Sequence, residues 1–194
     1  MYADDMCFVF HDKSDAERFY RVLPQRLSKY GITMHEKKSQ LLPSGNKAAA
    51  RAHARGERIP VYRFLGFTCY WGQSRSKRCW RLKLKSRSDR KRAKLKGLRQ
   101  LLRAHLNTPD TPKVLDRVKA GVRGWVNYHA VSDNQKQVSS FIYESKRILF
   151  QWFNRRGGKK PWTWERYAKL LERIDYPEVP KIVSLFPTPN QAQA

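Results

Sequence analysis

Apolar positions along the chain change their period once. Up to about residue 85 they come in short runs and alternations, and beyond it they recur every three or four residues. Residues 6–10 (Met-Cys-Phe-Val-Phe) form an apolar run that reads as a buried strand. Ser14 and Glu17 make a capping-box pair ahead of a helix whose face carries Ala16, Phe19, Tyr20, Leu23, Leu27 and Tyr30, with Gly31 as its stop. Pro24 inside that face lacks an N–H and crowds the Tyr20 carbonyl, which predicts a kink or two shorter helices. Residues 32–42 alternate loosely and predict one or two strands. The basic, Ala-rich stretch 43–60 reads as an exposed loop with at most a helical turn. Residues 62–71 read as one aromatic strand, residues 72–77 as a turn. Trp80, Leu82 and Leu84 then alternate with Arg81, Lys83 and Lys85, a half-buried strand with a wholly basic open face.

The remainder is helical in period. Leu95, Leu98, Leu102 and Leu106 mark one helix, and Leu115, Val118, Val122, Trp125 and His129 a second, entered through Thr111 as cap and Pro112 in its first turn. Val138, Phe141, Ile142, Ser145, Leu149 and Trp152 mark a third. After a basic linker at 155–160, Thr163 caps a fourth helix bearing Trp164, Tyr167, Leu171 and Ile174, and the Pro-rich tail stays extended. Trp125 and His129 share an apolar face, which makes them core residues ahead of catalytic ones.

Charge narrows the function. Lys and Arg number 41 against 16 Asp and Glu, for a net charge of +25. A surplus that large repels itself unless a polyanion neutralises it, so nucleic acid is the expected partner, held in a strongly salt-dependent way. The cations cluster: Arg75, Lys77, Arg78, Arg81, Lys83, Lys85, Arg87, Arg90, Lys91, Arg92, Lys94 and Lys96 fall in one short stretch. With 40% apolar and 12% aromatic residues the chain has enough to fill a core, which argues against disorder. No apolar run approaches a membrane span, and Asp4 and Asp5 sit where a secretory signal needs basic and apolar residues. The three cysteines form no Cys-x-x-Cys pair, so a reduced, cytoplasmic setting is expected, with no membrane partner.

Three short blocks carry candidate chemistry. Tyr2-Ala3-Asp4-Asp5 puts two carboxylates directly before an apolar strand, where adjacent acids in so basic a chain invite a salt bridge or a divalent metal. Residues 31–39 (Gly-Ile-Thr-Met-His-Glu-Lys-Lys-Ser) follow after one helix, and Phe64-Leu65-Gly66-Phe67 comes next. In this order the blocks resemble the Tyr-Ala-Asp-Asp turn, the Gly-to-Lys block and the Phe-Leu-Gly primer-grip block of reverse transcriptases. Gly124-Trp-Val-Asn-Tyr-His129 and the segments 163–166 and 180–185 are similar to the maturase-specific X domain, or thumb, of bacterial group II intron proteins.

The resemblance implies an α+β chain: a partial reverse-transcriptase palm of short antiparallel strands plus one helix at 1–85, an α-helical thumb of three helices at 86–160, and a C-terminal helix with a Pro-rich tail at 161–194. It implies Mg²⁺ as cofactor, with Asp4 and Asp5 as metal-binding and catalytic carboxylates. It casts Lys38 as a proton donor or charge clamp beside a triphosphate. It further implies that Phe64, Leu65 and Gly66 support a primer terminus, while Arg81, Lys83, Lys85, Arg87, Arg90, Lys91 and Lys94 contact nucleic acid. The implied partners are intron RNA, an RNA/DNA primer-template and a separate N-terminal half of the reverse transcriptase. That family is an RNA-directed DNA polymerase that also assists splicing. The fingers and the family's other metal-binding aspartate have no counterpart here, so this chain is expected to bind structured intron RNA without polymerising alone. The alternative is a non-catalytic basic nucleic-acid-binding module unrelated to introns.

Overall fold

The computed structural model describes residues 5–36, 38–74, 76–157 and 161–185. It is a mixed α+β chain of two compact units. The first holds everything up to Leu65 together with Tyr70–Leu82, and the second holds Gly66–Cys69 and everything from Lys83 onward.

In the first unit, α1 (Lys13–Ser28) is one helix that runs through Pro24, where two shorter helices were an alternative. It starts earlier than the capping box predicts: Asp12 stands at N-cap, and the first turn is held by a Lys13–Glu17 ion pair at 3.2 Å. Residues 6–10 are not the expected buried strand. They lack regular structure, and Val9 is 85% exposed. An apolar run becomes a strand only where a second strand satisfies its backbone. Here Phe8 and Phe10 lean instead on Phe19 of α1, with ring centroids 4.7 and 5.0 Å away. Residues 32–42 also form no strand among those described. They pass along α1, where the Tyr20 hydroxyl donates to the Ser39 carbonyl at 3.2 Å.

The stretch predicted as a loop contains α2 (Asn46–Ala54). Alanine has the highest intrinsic helix propensity, and Ala49 is buried. Asn46 fixes the helix start from outside, accepting the Trp80 N–H at 2.9 Å, while the His53 ring packs at a tilt against the Trp80 ring, centroids 5.0 Å apart.

The sheet has the order β1 (Val61–Phe64), β2 (Phe67–Gln73), β3 (Trp80–Ser86). The single strand predicted over 62–71 is thus two, divided at Leu65 and Gly66. Both have positive φ, 45° and 76°, which is the signature of a two-residue type I′ hairpin turn.

Among the described residues the second unit has four helices: α3 (Ser88–Ala104), α4 (Thr111–His129), α5 (Gln135–Arg155) and α6 (Trp164–Arg173). Their apolar stripes merge into one core. Leu95, Leu98 and Leu102 of α3 meet Val118, Val122 and Trp125 of α4, and Val138, Phe141, Leu149 and Trp152 of α5. Trp125 stacks on Phe141 with centroids 3.8 Å apart. Thr163 caps α6 as expected, accepting the Arg166 N–H, whereas α4 is capped by Asp110, one residue before Thr111. Past α6 the chain is tied down. The Tyr176 hydroxyl donates to Ser145 Oγ at 3.0 Å, and Val183 forms a parallel bridge with Val131. Burial pushes the Tyr176 hydroxyl up to about 12, so it stays a donor.

Candidate nucleic-acid interface

The end of β3 and the start of α3 carry the densest charge and are fixed to the bundle by one buried side chain. Asn134, at the α4–α5 corner, is fully buried. Its Oδ1 accepts the Ser86 N–H at 2.8 Å, and its Nδ2 donates to Ser86 Oγ at 2.7 Å and to the His129 carbonyl at 2.8 Å. The next N–H, that of Arg87, donates to the Gly66 carbonyl at 3.1 Å. Gly66, Ser86, Arg87, Asn134 and His129 are therefore one connected corner. A Cβ at Gly66 would stand 3.7 Å from the Tyr128 ring and 3.9 Å from His129 Nε2, and Phe67 lies alongside with its centroid 5.7 Å from that of Tyr128.

From this corner α3 presents a segregated surface. Leu95, Leu98 and Leu102 are buried, each contributing about 1.5–3 kcal/mol by leaving water. Arg90, Arg92, Lys94, Lys96, Arg99 and Arg103 are exposed. Between Arg81 and Arg103 the only acid is Asp89. The Arg87 guanidinium donates to both oxygens of Asp89, at 3.1 and 2.6 Å, and holds that carboxyl down at about 2. Lys91 is directed inward. Its side chain is 12% exposed, and the ammonium sits 2.8 Å from both Ser140 Oγ and Glu144 Oε1. That contact lowers the Glu144 carboxyl below its ordinary range, with the Arg99 charge as a smaller contribution. Lys91 thus ties α3 to α5 rather than facing solvent with its neighbours, and Arg87 is likewise engaged with Asp89.

The other residues singled out from the sequence are distributed as follows. Lys83 is half-buried, while Arg81, Lys85, Arg90 and Lys94 are exposed. Phe64 and Leu65 are half-buried at the β1–β2 turn. Lys38 is exposed, in a turn where its N–H donates to the His35 carbonyl at 3.0 Å. Asp5 is exposed, and Asp4 lies outside the described residues. Among the described residues no group of three or more His, Cys, Asp or Glu could hold a metal. One exposed carboxylate suits Mg²⁺ only within a shell completed by water and substrate phosphates.

His129 is buried but only half satisfied. Its Nδ1 is 2.9 Å from the Trp125 carbonyl and must carry the hydrogen there, which leaves Nε2 as a buried acceptor with no partner among the described residues. Burial lowers its proton affinity, so the ring is neutral and packs as an aromatic against Trp125 at 4.0 Å.

Sequence reading missed Asn134 and the Lys91–Glu144 pair. Asn134 sits in a Ser-Asp-Asn run that looks like any polar loop, and nothing local signals that it is buried. A separate cleft lined by Arg123, Lys146, Glu172, Asp175 and Glu178 carries both signs of charge, which suits a polyanion less well than the α3 face.

Compared with known proteins, the chain matches no family model, no curated sequence and no solved structure. No helix among the described residues is long and apolar enough to cross a membrane.

Proposed function

We propose that the chain is an RNA-binding protein that holds structured RNA on the exposed face of α3. Within that class it acts as the palm end and thumb of a group II intron reverse transcriptase/maturase, with intron RNA as its partner. The observation that carries the RNA-binding reading is the segregation along α3: buried leucines fix the helix, and Arg90, Arg92, Lys94, Lys96 and Arg103 stand outward on it. A rigid helix with cations spread over its solvent-exposed surface tracks phosphates without reading sequence, and arginine adds stacking on unpaired bases. The narrower reading is supported by the order of the sequence blocks, and by the hairpin that places Gly66 against Tyr128 and His129 of the second motif. Under this reading Asp4 and Asp5 supply carboxylates to Mg²⁺ when substrate phosphates are present.

The test is binding of the purified chain to a folded intron RNA, followed by fluorescence anisotropy across a salt series. Steep salt dependence is expected, with log K falling by roughly 0.7–0.9 per neutralised phosphate for each unit of log salt. Charge reversal at Arg90, Lys94 and Lys96 together should flatten that slope by about 2–3. Binding that ignores the reversal overturns the role of α3. Duplex DNA competing as well as intron RNA at near-physiological salt would remove the intron from the reading and leave a general basic module.

A further inference from the structure

The basic surface of α3 explains phosphate binding, but not the aromatic rings exposed on α5 and α6. Tyr143 is 61% exposed and Trp164 is 55% exposed, unusual for side chains that gain so much from burial. They belong to one row. Tyr143, Arg147 and Phe150 follow at i, i+4 and i+7 on α5 and so share a face. The Arg147 guanidinium lies 5.9 Å from the Tyr143 ring centroid. Phe150 then stacks on Trp164 of α6, with centroids 4.0 Å apart and planes inclined by 13°.

This row borders the cationic face. Lys91 of α3 reaches Ser140 and Glu144 of α5, the latter adjacent to Tyr143 in sequence, and the Arg99 charge acts on that same Glu144. Lys136, two turns before Tyr143, is exposed as well. An aromatic row bordered by cations fits an anionic partner with flat apolar groups. It suits a protein surface less well, because such a partner would have to bring its own acids to every ring.

We propose that the α5 row is a stacking platform for unpaired nucleotides adjoining the RNA helix held by α3. This rests on the RNA-binding reading above and adds a preference for helices that end in a single strand. Tyr143 offers an open ring face, Arg147 a guanidinium plane that neutralises a phosphate or stacks, and Trp164 the ring face turned away from Phe150. From Tyr143 to Phe150 the helix rises about 10 Å, close to the length of about three stacked nucleotides. Stacking of this kind tolerates any base, because every base has a π face.

The experiment compares a blunt RNA hairpin with the same hairpin carrying a three-nucleotide single-stranded tail that contains 2-aminopurine. The wild-type chain should bind the tailed RNA roughly tenfold more tightly and quench the 2-aminopurine emission. Tyr143→Ala should abolish both the gain and the quenching while leaving blunt-hairpin binding unchanged, and Tyr143→Phe should retain both. Tyr143 is exposed, so a fold defect is not expected; unchanged blunt-hairpin binding reports on it directly. A wild-type chain that binds both RNAs equally, or a Tyr143→Ala chain that keeps the tail gain, overturns the platform and leaves α3 binding intact. A wild-type chain that binds neither RNA overturns the RNA-binding reading itself.

Discussion

Replacing Asn134 with alanine is expected to destabilise the bundle by about 2–4 kcal/mol, out of the roughly 5–15 kcal/mol typical of a folded domain. The substitution strands the Ser86 N–H, a buried donor whose acceptor is Asn134 Oδ1 at 2.8 Å. An unsatisfied buried donor costs about 1–3 kcal/mol. The two bonds from Nδ2, to Ser86 Oγ and the His129 carbonyl, are lost as well. The His129 carbonyl is the lesser loss, because it still accepts the Val131 N–H at 2.8 Å. Those two bonds together add about 1 kcal/mol net. Ser86→Ala should cost only about 1 kcal/mol, since it removes one bond and leaves the backbone pair intact. The assay is urea unfolding followed by circular dichroism, with the double variant closing a cycle. A coupling of about 1 kcal/mol between the two positions is expected. An Asn134→Ala chain that loses less than about 1 kcal/mol, or two substitutions that simply add, would show that the corner is not held as described.

The Lys91 ammonium lowers the Glu144 carboxyl, so this pair's contribution is present above the ordinary glutamate range and fades as pH falls through the depressed value. Glu144→Gln should remove that acid-side loss in pH-dependent melting, at a cost of no more than about 1 kcal/mol at pH 7 because Glu144 is 38% exposed. For His129, burial depresses the folded-state pKa, so the unfolded chain binds the proton first, and stability should decline as pH drops below about 6.5. His129→Phe should flatten melting temperature between pH 7 and pH 5; an unchanged decline would place its origin elsewhere. At the β1–β2 turn, Leu65→Asn should stabilise by about 0.5–1 kcal/mol and Gly66→Ala should destabilise by about 1–2 kcal/mol, both through backbone conformation at φ 45° and 76°. The alanine Cβ meets only ordinary contacts there, so a Gly66→Ala chain with an unchanged urea midpoint, or a Leu65→Asn chain with a lowered one, would contradict this.

The helices of the second unit were legible because each buries one stripe against its neighbours, so the three-and-four spacing of Leu95, Leu98 and Leu102 is the core contact itself. Caps were legible to within a residue. Thr163 was found, while Asp110 and Thr111 are both good caps and proline fits either of the first two helical positions. The first unit was harder. Residues 6–10 have a strand's composition, but strand formation depends on a neighbour that local pattern cannot reveal. Alanines at 48–50 look like a small-residue loop until Ala49 is seen buried. Leu65 hides the hairpin, because leucine is a poor residue for positive φ. The candidate interface divided along the same line. Its charge was plain from the chain, but which cations face outward was not, since Lys91 and Glu144 are brought together only by the packing of α3 on α5. Ser86 and Asn134, 48 residues apart, left no local trace of their pairing.

The way this unit uses its acids links its stability to its partner. Asp89, Asp116, Glu144 and Asp175 each pair with a cation, namely Arg87, Lys119, Lys91 and Arg123. The outward cations of α3 face one another instead: Arg90 with Lys94, Arg92 with Lys96, and Arg99 with Arg103, each four residues apart. Like charges at that spacing cost roughly 0.2–0.5 kcal/mol per pair, near 1 kcal/mol in all. The buried leucines exceed this several-fold, so the helix forms despite its charge. One set of charges then gives two salt responses of opposite sign. Added salt screens the repulsion within α3 and should raise the melting temperature of the free chain, while the same salt weakens RNA binding. RNA at low salt should stabilise the chain by neutralising these positions and by mass action, and that gain should vanish as salt rises. If the free chain instead melts lower as salt increases, attractive pairs such as Arg87–Asp89 outweigh the repulsion along α3, and its cations are balanced within the protein rather than held ready for a polyanion.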